Sequence, residues 1–317
     1  MAGEPVTAGR AVVLGGTGWV GRHVCDVFAR RGYEVLTVAR NPASHVAAHR
    51  FHRLDVAAAP AGVLTELLRR ARADVVINAT DAANATDGWA HPEEALRRFN
   101  VGVVDRLVTA MARLPWRPRL VHLGTIFEYG PVPDGALMHE ALEPAPVGAY
   151  ARTKLAGSAA VLDATREDVI DGVVLRIVNV CGPHPSPAAF PGKLLALVRA
   201  AAATGGDVEL AIADSRRDFV DVRDVAMACL LAAESAVTGR VVNIGSGVAV
   251  ELREFVELFV TTAGLPPDVL KGRTGPVPSL GTGWSRADIR LAAELLSWRP
   301  TVGLPESVRD TWEAASG

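Results

Sequence analysis

Cysteine is scarce in this chain of 317 residues: Cys25, Cys181 and Cys229 stand far apart, with no C-x-x-C pair among them. That excludes a disulfide framework and a cysteine-based zinc site, and leaves three small, reduced core residues as the expectation. Long apolar runs are missing as well. No stretch reaches the roughly 18–20 uncharged apolar residues that a bilayer span requires. Residues 1–9 have neither the basic start nor the apolar core of a signal peptide, so a cytoplasmic location is expected. A net charge of −2 gives no basic excess to attract nucleic acid or anionic lipid. His45, His49 and His52 are grouped, but no carboxylate or cysteine stands in ligand spacing to them, so they read as a solvated connector and no metal is expected.

What is present is a hydrophobic fraction of 49%, enough for one large α/β domain or a domain and a half. Residues 11–14 form a short, partly β-branched apolar run that reads as a buried parallel strand. Val20, Val24, Val27 and Phe28 then recur at helical spacing, predicting a helix over residues 18–31. Gly15, Gly18 and Gly21 lie between strand and helix. In that context glycines permit a sharp turn, close approach of a pyrophosphate to the backbone, and tight helix–strand packing. The phosphates would rest on the free N–H groups and positive end of the helix. The alternative is a glycine-rich turn without a ligand.

Further strands are expected at residues 33–39, 50–54, 74–78, 120–124, 173–178, 208–213, 218–220 and 241–245. Helices are expected at 64–72, from Pro92 onward as one long helix, at 150–165, 194–203, 225–233, 252–263 and, last, 289–296. The second strand ends at Arg40, where an acidic residue would bond a ribose 2′-hydroxyl and an arginine would accommodate a 2′-phosphate; Arg40 is otherwise a surface arginine. Asp55, with Val56, could accept from an adenine amino group. Asn78, Ala79 and Thr80 close the fourth strand at the carboxyl edge, where ligands bind in doubly wound sheets. Asn100 either caps a local backbone group or holds a water or a lysine.

Tyr150 and Lys154, four apart, share one face of a helix. Lowering a phenol from its reference pKa of about 10 toward neutrality takes roughly 4 kcal/mol, which an adjacent ammonium can supply. Thr125 ends a central strand and could hydrogen-bond the same carbonyl oxygen. Tyr-x-x-x-Lys also arises on ordinary amphipathic helices, but the glycine turn, the Thr-ended strand and this pair occur in the right order.

These pieces resemble the extended short-chain dehydrogenase/reductases of the nucleotide-sugar epimerase/dehydratase branch along nearly the whole chain. The matching segments are Gly-Gly-Thr-Gly-Trp-Val-Gly, Thr125 ahead of Tyr129-Gly130, Tyr150-x-x-x-Lys154, Arg176-Ile-Val-Asn179-Val-Cys-Gly-Pro183, Arg217-Asp-Phe-Val-Asp-Val-Arg-Asp224, Asn243-Ile-Gly-Ser-Gly247 and Trp298-Arg-Pro300. The resemblance implies an α/β fold: a Rossmann doubly wound parallel sheet over residues 1–178, with parts of 218–245 returning to it, and a smaller C-terminal substrate-binding lobe made mainly of 179–317. It implies a nicotinamide dinucleotide held by Gly15, Thr17, Gly18, Trp19, Val20 and Gly21 at the turn. Arg40, Asp55, Val56, Asn78, Ala79 and Thr80 would follow along the strand ends, and Tyr150, Lys154, Ile177 and Val178 would flank the ring. Thr125, Tyr150 and Lys154 would be catalytic, with Asn100 a fourth member. Thr125, Ile126, Phe127, Asn179, Lys193 and Arg217 would contact the substrate, arginine suiting a diphosphate. A homodimer would form through the helices that start at Pro92 and Tyr150.

Relatives that dehydrate sugars follow the threonine with Asp-Glu, whereas this chain has Ile126 and Phe127, which transfer no proton. Glu128 is displaced by one residue and so aimed elsewhere. The expected activity is an NADPH-dependent ketoreductase of a nucleotide-linked 4-keto-6-deoxy sugar, most like those acting on dTDP sugars, with NADP(H) favoured over NAD(H) because of Arg40. Its rivals are a nucleotide-sugar 4-epimerase that retains NAD, a reductase of small ketones, and a non-catalytic dinucleotide sensor.

Overall fold

Apolar residues that alternate between two faces build the central sheet. In strand β1 (Gly9–Leu14), Ala11 and Val13 enter one core cluster while Val12 and Leu14 enter another. The computed structural model describes residues 8–81, 92–271, 274–275 and 283–316. After β1 come α1 (Trp19–Arg30), β2 (Tyr33–Ala39), β3 (Arg50–Arg53), α2 (Ala61–Ala71) and β4 (Val75–Asn78). The chain continues through α3 (Glu93–Asn100), α4 (Gly102–Ala112), β5 (Arg119–Thr125), α5 (Gly148–Arg166) and β6 (Asp171–Ile177). Then follow β7 (Asn179–Cys181), α6 (Phe190–Thr204), β8 (Ile212–Ala213), β9 (Arg216–Asp221), α7 (Val222–Glu234), β10 (Val241–Ile244), β11 (Ala249–Glu251) and α8 (Leu252–Thr262). β12 (Thr274–Gly275), α9 (Arg290–Leu296) and α10 (Leu304–Ser316) complete the order.

Seven strands form one parallel sheet in the order β10-β6-β5-β4-β1-β2-β3. The chain runs outward from β1 to β3 and then returns to the other side of β1 at β4. The order therefore reverses between β1 and β4, and ligands of open α/β sheets lie in the crevice beyond the carboxyl ends at such a reversal. Helices α1, α7 and α9 bury their apolar faces on one side of the sheet, and α2, α4 and α5 on the other. Each fully buried Val, Leu or Phe contributes about 1.5–3 kcal/mol to that packing.

A second, three-stranded sheet has the order β11-β9-β7. Its core gathers around Phe255, whose ring stacks on Phe219 at 4.0 Å between centroids and meets Phe259 edge-on at 5.2 Å. The Asp-rich segment of β9 and α7 ties the connections together. The Asp218 carboxylate accepts from the backbone N–H groups of Ser246, Gly247 and Ala287, and Asp224 accepts from those of Thr301 and Val302.

The helix expected as one piece from Pro92 is two, interrupted at Val101. Close packing accompanies the break: the Asn100 carbonyl lies so near α5 that a Cβ on Gly157 would sit 2.2 Å from it. The strand expected over 208–213 is reduced to β8, with Val208 making a single bridge to Leu270. β7, β11 and α10 were not expected. The last carries its signal in Val308, Trp312 and Ala315, which return at helical spacing and pack on the third cluster.

Gly157→Ala is expected to force α5 away from Asn100 and to lower stability by roughly 1–3 kcal/mol, the usual cost of overpacking. Urea unfolding measures this; a midpoint equal to that of the parent chain would contradict the tight contact.

Candidate active site

The glycine turn has the geometry its sequence demands. Gly15 sits at φ +78, in the left-handed region, and a Cβ on Gly21 would lie 2.2 Å from the Gly15 carbonyl oxygen. Gly18 is the extended N-cap residue of α1. Neither a capping side chain nor an acidic residue occupies the first turn of α1, so its amides and the positive end of its dipole remain available to an anion. Gly21 thus lets α1 pack directly on the turn, and the free amides at its start suit a dinucleotide pyrophosphate. Beside it, the Thr17 carbonyl lies 3.2 Å from His45 Nε2.

Trp19 and His23 bind the turn to the loop that follows β7. Trp19 Nε1 donates to the Pro183 carbonyl at 2.9 Å, and His23 Nε2 lies 3.3 Å from the same oxygen. Burial holds His23 down to about 4.

A cavity of about 130 Å³ opens beside Gly18, Trp19, Val20 and Gly21. Ala79, Thr80 and Asp81 line it from just past the end of β4, Leu123, Gly124 and Thr125 from β5, Tyr150 and Lys154 from α5, Ile177 and Val178 from the end of β6 and just past it, and Val180 from β7. The end of β5 and the first turns of α5 thus bring together Thr125, Tyr150 and Lys154, which are spread over thirty positions of sequence. The Tyr150 hydroxyl donates to Asp81 Oδ2 at 3.1 Å, and Lys154 Nζ donates to the Leu123 carbonyl at 2.6 Å.

In this arrangement the phenol is shifted in the direction opposite to that expected from sequence. Burial, and after it the Asp81 carboxylate, push Tyr150 well above its ordinary value. The ammonium expected to lower it is directed instead at a backbone carbonyl. Asp81 has no counterpart among the residues expected from sequence; its only signal was a charged side chain three places beyond Asn78, at the end of a buried strand.

Thr125 caps the short 3-10 turn Ile126–Tyr129, its Oγ1 accepting from the Phe127 N–H at 3.4 Å. Glu128 answers from the other end of that turn. Its Oε1 accepts from the Thr125 N–H and from Ser158 Oγ, both at 2.9 Å, and its Oε2 accepts from Arg176 Nε at 2.8 Å. The carboxylate is fully buried, so the displaced acid is committed to structure. Arg176 also covers the Tyr129 ring at 4.3 Å, and the Tyr129 hydroxyl donates to Asn243 Oδ1.

The other expected positions fall outside the cavity lining. Asn78 is buried, with its Nδ2 3.0 Å from His122 Nδ1 and its Oδ1 accepting from Thr80 Oγ1. Burial, then Lys154, hold His122 well below its ordinary value, so the imidazole is neutral. Asn100 directs its amide to Thr153 Oγ1 at 3.0 Å, and that hydroxyl donates to the Tyr150 carbonyl, so Asn100 reaches the backbone of α5 and not Lys154. Ile126 is completely buried in the core and leaves no surface for a ligand, contrary to expectation. Phe127 is half-buried and packs on the cluster of Leu96 and Tyr150.

Arg40 is exposed just beyond β2, and Asp55, also exposed, closes a turn onto the Ala57 N–H. Val56 is buried, its carbonyl accepting from Arg106. Asn179 donates to the Asp218 carbonyl, and Lys193 is exposed on α6. Arg217 is buried, 5.8 Å from the Phe127 ring, and burial lowers it to about 10.

Residues 11–245 match the NAD dependent epimerase/dehydratase family. The chain belongs to that family. It is 38% identical over its full length, and over 98% of the relative, to dTDP-6-deoxy-L-talose 4-dehydrogenase (NAD(P)(+)) of Kitasatospora kifunensis. It is 27% identical over 97% of the chain, and 94% of the relative, to UDP-glucose 4-epimerase uge1 of Schizosaccharomyces pombe. Among solved structures, the UDP-glucose 4-epimerase of Thermus thermophilus in complex with NAD superposes with a TM-score of 0.84 at 26% identity, covering 97% of this chain and 99% of that one. The chain is thus an NAD(P)-dependent enzyme of the epimerase/dehydratase family, with the doubly wound sheet that its sequence implied. No helix among the described residues is long and apolar enough to cross a membrane.

His23 carries a consequence for stability. An imidazole held at about 4 in the folded chain and returning to 6.5 on unfolding makes the unfolded state bind the extra proton between those values. Its neutral form therefore supports the fold above about pH 6.5, and that support is lost as the pH falls toward about 4. The loss should be on the order of 3 kcal/mol. Unfolding midpoints across this window should fall less steeply for His23→Gln than for the parent, and parallel curves would refute the assignment.

Proposed function

We propose that the chain is an NADPH-dependent ketoreductase of a nucleotide-linked 4-keto-6-deoxy sugar, with dTDP as the linked nucleotide. The observation that carries this reading is Thr125, Tyr150 and Lys154 around one cavity, while the one acid of the turn, Glu128, is locked to Arg176. Such a site exchanges a proton at a carbonyl oxygen but has no second acid–base pair on the turn for removing water. The relative at 38% identity is named for oxidation at C4 of a dTDP sugar, which is ketone reduction run in reverse.

The bound nicotinamide supplies or accepts the hydride. Tyr150 gives its proton to the carbonyl oxygen, Thr125 donates to the same oxygen, and Lys154 steadies the strand end through the Leu123 carbonyl. Asn179, Lys193 and Arg217 are assigned to the nucleotide diphosphate, with Arg217 its main cation. Arg40 is assigned to a 2′-phosphate, which underlies the preference for NADP(H) over NAD(H). A cytoplasmic homodimer joined through α3, α4 and α5 belongs to the same proposal, as does a division into a dinucleotide-binding part and a substrate lobe.

The test is steady NADPH oxidation on adding a dTDP-4-keto-6-deoxyhexose. A 4-epimerase is the second reading, supported by the relatives named UDP-glucose 4-epimerase. It would instead show NAD retained through purification and interconversion of two sugars with no net oxidation. Tyr150→Phe should lower kcat by about 100-fold or more while leaving the cofactor Kd nearly unchanged; undiminished turnover would remove Tyr150 from the mechanism. Arg40→Asp should raise KM for NADPH about tenfold or more and leave that for NADH little changed, as initial rates with each cofactor will show.

A further inference from the structure

Among the described residues, the charged groups on the elements packed around Tyr150 can be named. Lys154, one turn along the same helix, donates to the Leu123 carbonyl, and Arg152 is exposed and pairs with Glu93. Glu128, on the turn after β5, is matched to Arg176. His122 of β5 is neutral. Helix α3 packs Leu96 and Phe99 on the ring, while its charged residues Glu93, Glu94, Arg97 and Arg98 are exposed. The one ionisable side chain to which the phenol hydrogen-bonds among the described residues is Asp81, which lines the same cavity.

We propose that Asp81 is a positioning residue for Tyr150: its carboxylate accepts the Tyr150 O–H and keeps that hydroxyl protonated until a substrate carbonyl oxygen, entering the cavity that both residues line, takes the hydrogen bond in its place. This deepens the functional reading above and rests on Tyr150 being the group that exchanges a proton with the substrate. The argument is one of donors and acceptors. An ionised carboxylate has no proton to give, so the contact at 3.1 Å exists only while the phenol retains its own. A phenolate there would face a like charge in an enclosed site, which disfavours it.

The direction of catalysis follows. In carbonyl reduction the Tyr150 O–H bond breaks, a new O–H bond forms on the substrate oxygen, and hydride adds to the carbon of the former C=O. Tyr150 is left as phenolate beside Asp81 and regains a proton from solvent, ready for another turnover. Alcohol oxidation requires the phenolate at the outset, so Asp81 confines that direction to higher pH.

The chain has three tyrosines, Tyr33, Tyr129 and Tyr150, so the full-length protein labelled with carbon-13 at tyrosine Cζ gives three signals to follow with pH. Tyr150→Phe identifies the relevant one. In Asp81→Asn the phenol-to-phenolate step of Tyr150 should move down by about 1 pH unit or more. The alkaline fall of kcat for ketone reduction, and the alkaline rise for alcohol oxidation, should move down with it. Asp81→Glu, which restores the charge, should titrate close to the parent.

Superposition of the Tyr150 titrations of Asp81→Asn and the parent overturns the assignment, and so does an Asp81→Glu that titrates like Asp81→Asn. A shifted titration in a protein that turns over no nucleotide sugar supports the Asp81 assignment and overturns the substrate reading, so the two fail separately.

Discussion

One buried carboxylate holds the working parts of this molecule in register. Glu128 accepts hydrogen bonds from the end of β5 through the Thr125 amide, from α5 through Ser158, and from β6 through Arg176. Those three elements carry Thr125, the Tyr150–Lys154 pair, and the Ile177–Val178 wall of the cavity. A fully buried charge is tolerable only with its counter-ion and complete hydrogen bonding, and removing one partner of such a pair typically costs about 3–5 kcal/mol. The arrangement accordingly has little freedom to drift. Thr125 and α5 cannot separate without leaving the carboxylate short of a donor.

Much of the site was legible in the sequence where a single backbone constraint dictates the residue. The glycines at 15 and 21 are required by a left-handed turn and by contact with a carbonyl oxygen, and both are visible as spacing between a strand and a helix. Tyr150 and Lys154 are legible because positions four apart share a helix face. The one-residue offset of Glu128 is visible in the sequence, whereas its full burial and its pairing with Arg176 are not. The break at Val101 was less legible, because it is accompanied by contact with Gly157, on a helix that begins some fifty residues later.

The protonation of Tyr150 shows the limit more sharply. Sequence reveals that a lysine lies one turn away, but not that its ammonium is directed at the Leu123 carbonyl or that a carboxylate from the end of β4 meets the phenol. Electrostatics depends on distances set by tertiary packing, and residues 81 and 150 have no sequence relation that could betray their contact. The acidic motif that follows Arg217 gives the opposite lesson. It is conspicuous as a pattern, yet Asp218 and Asp224 are spent on backbone amides of distant connections, which makes them architectural.

The shared acceptor at Pro183 has a mechanical corollary. Two side chains of the first helix converge on one carbonyl of the loop that leaves the smaller sheet. The glycine turn at the start of α1 and the loop beyond β7 are thereby pinned at a common point. Neither can be displaced without dragging the other or breaking both bonds, so turn and loop behave as one jointed part.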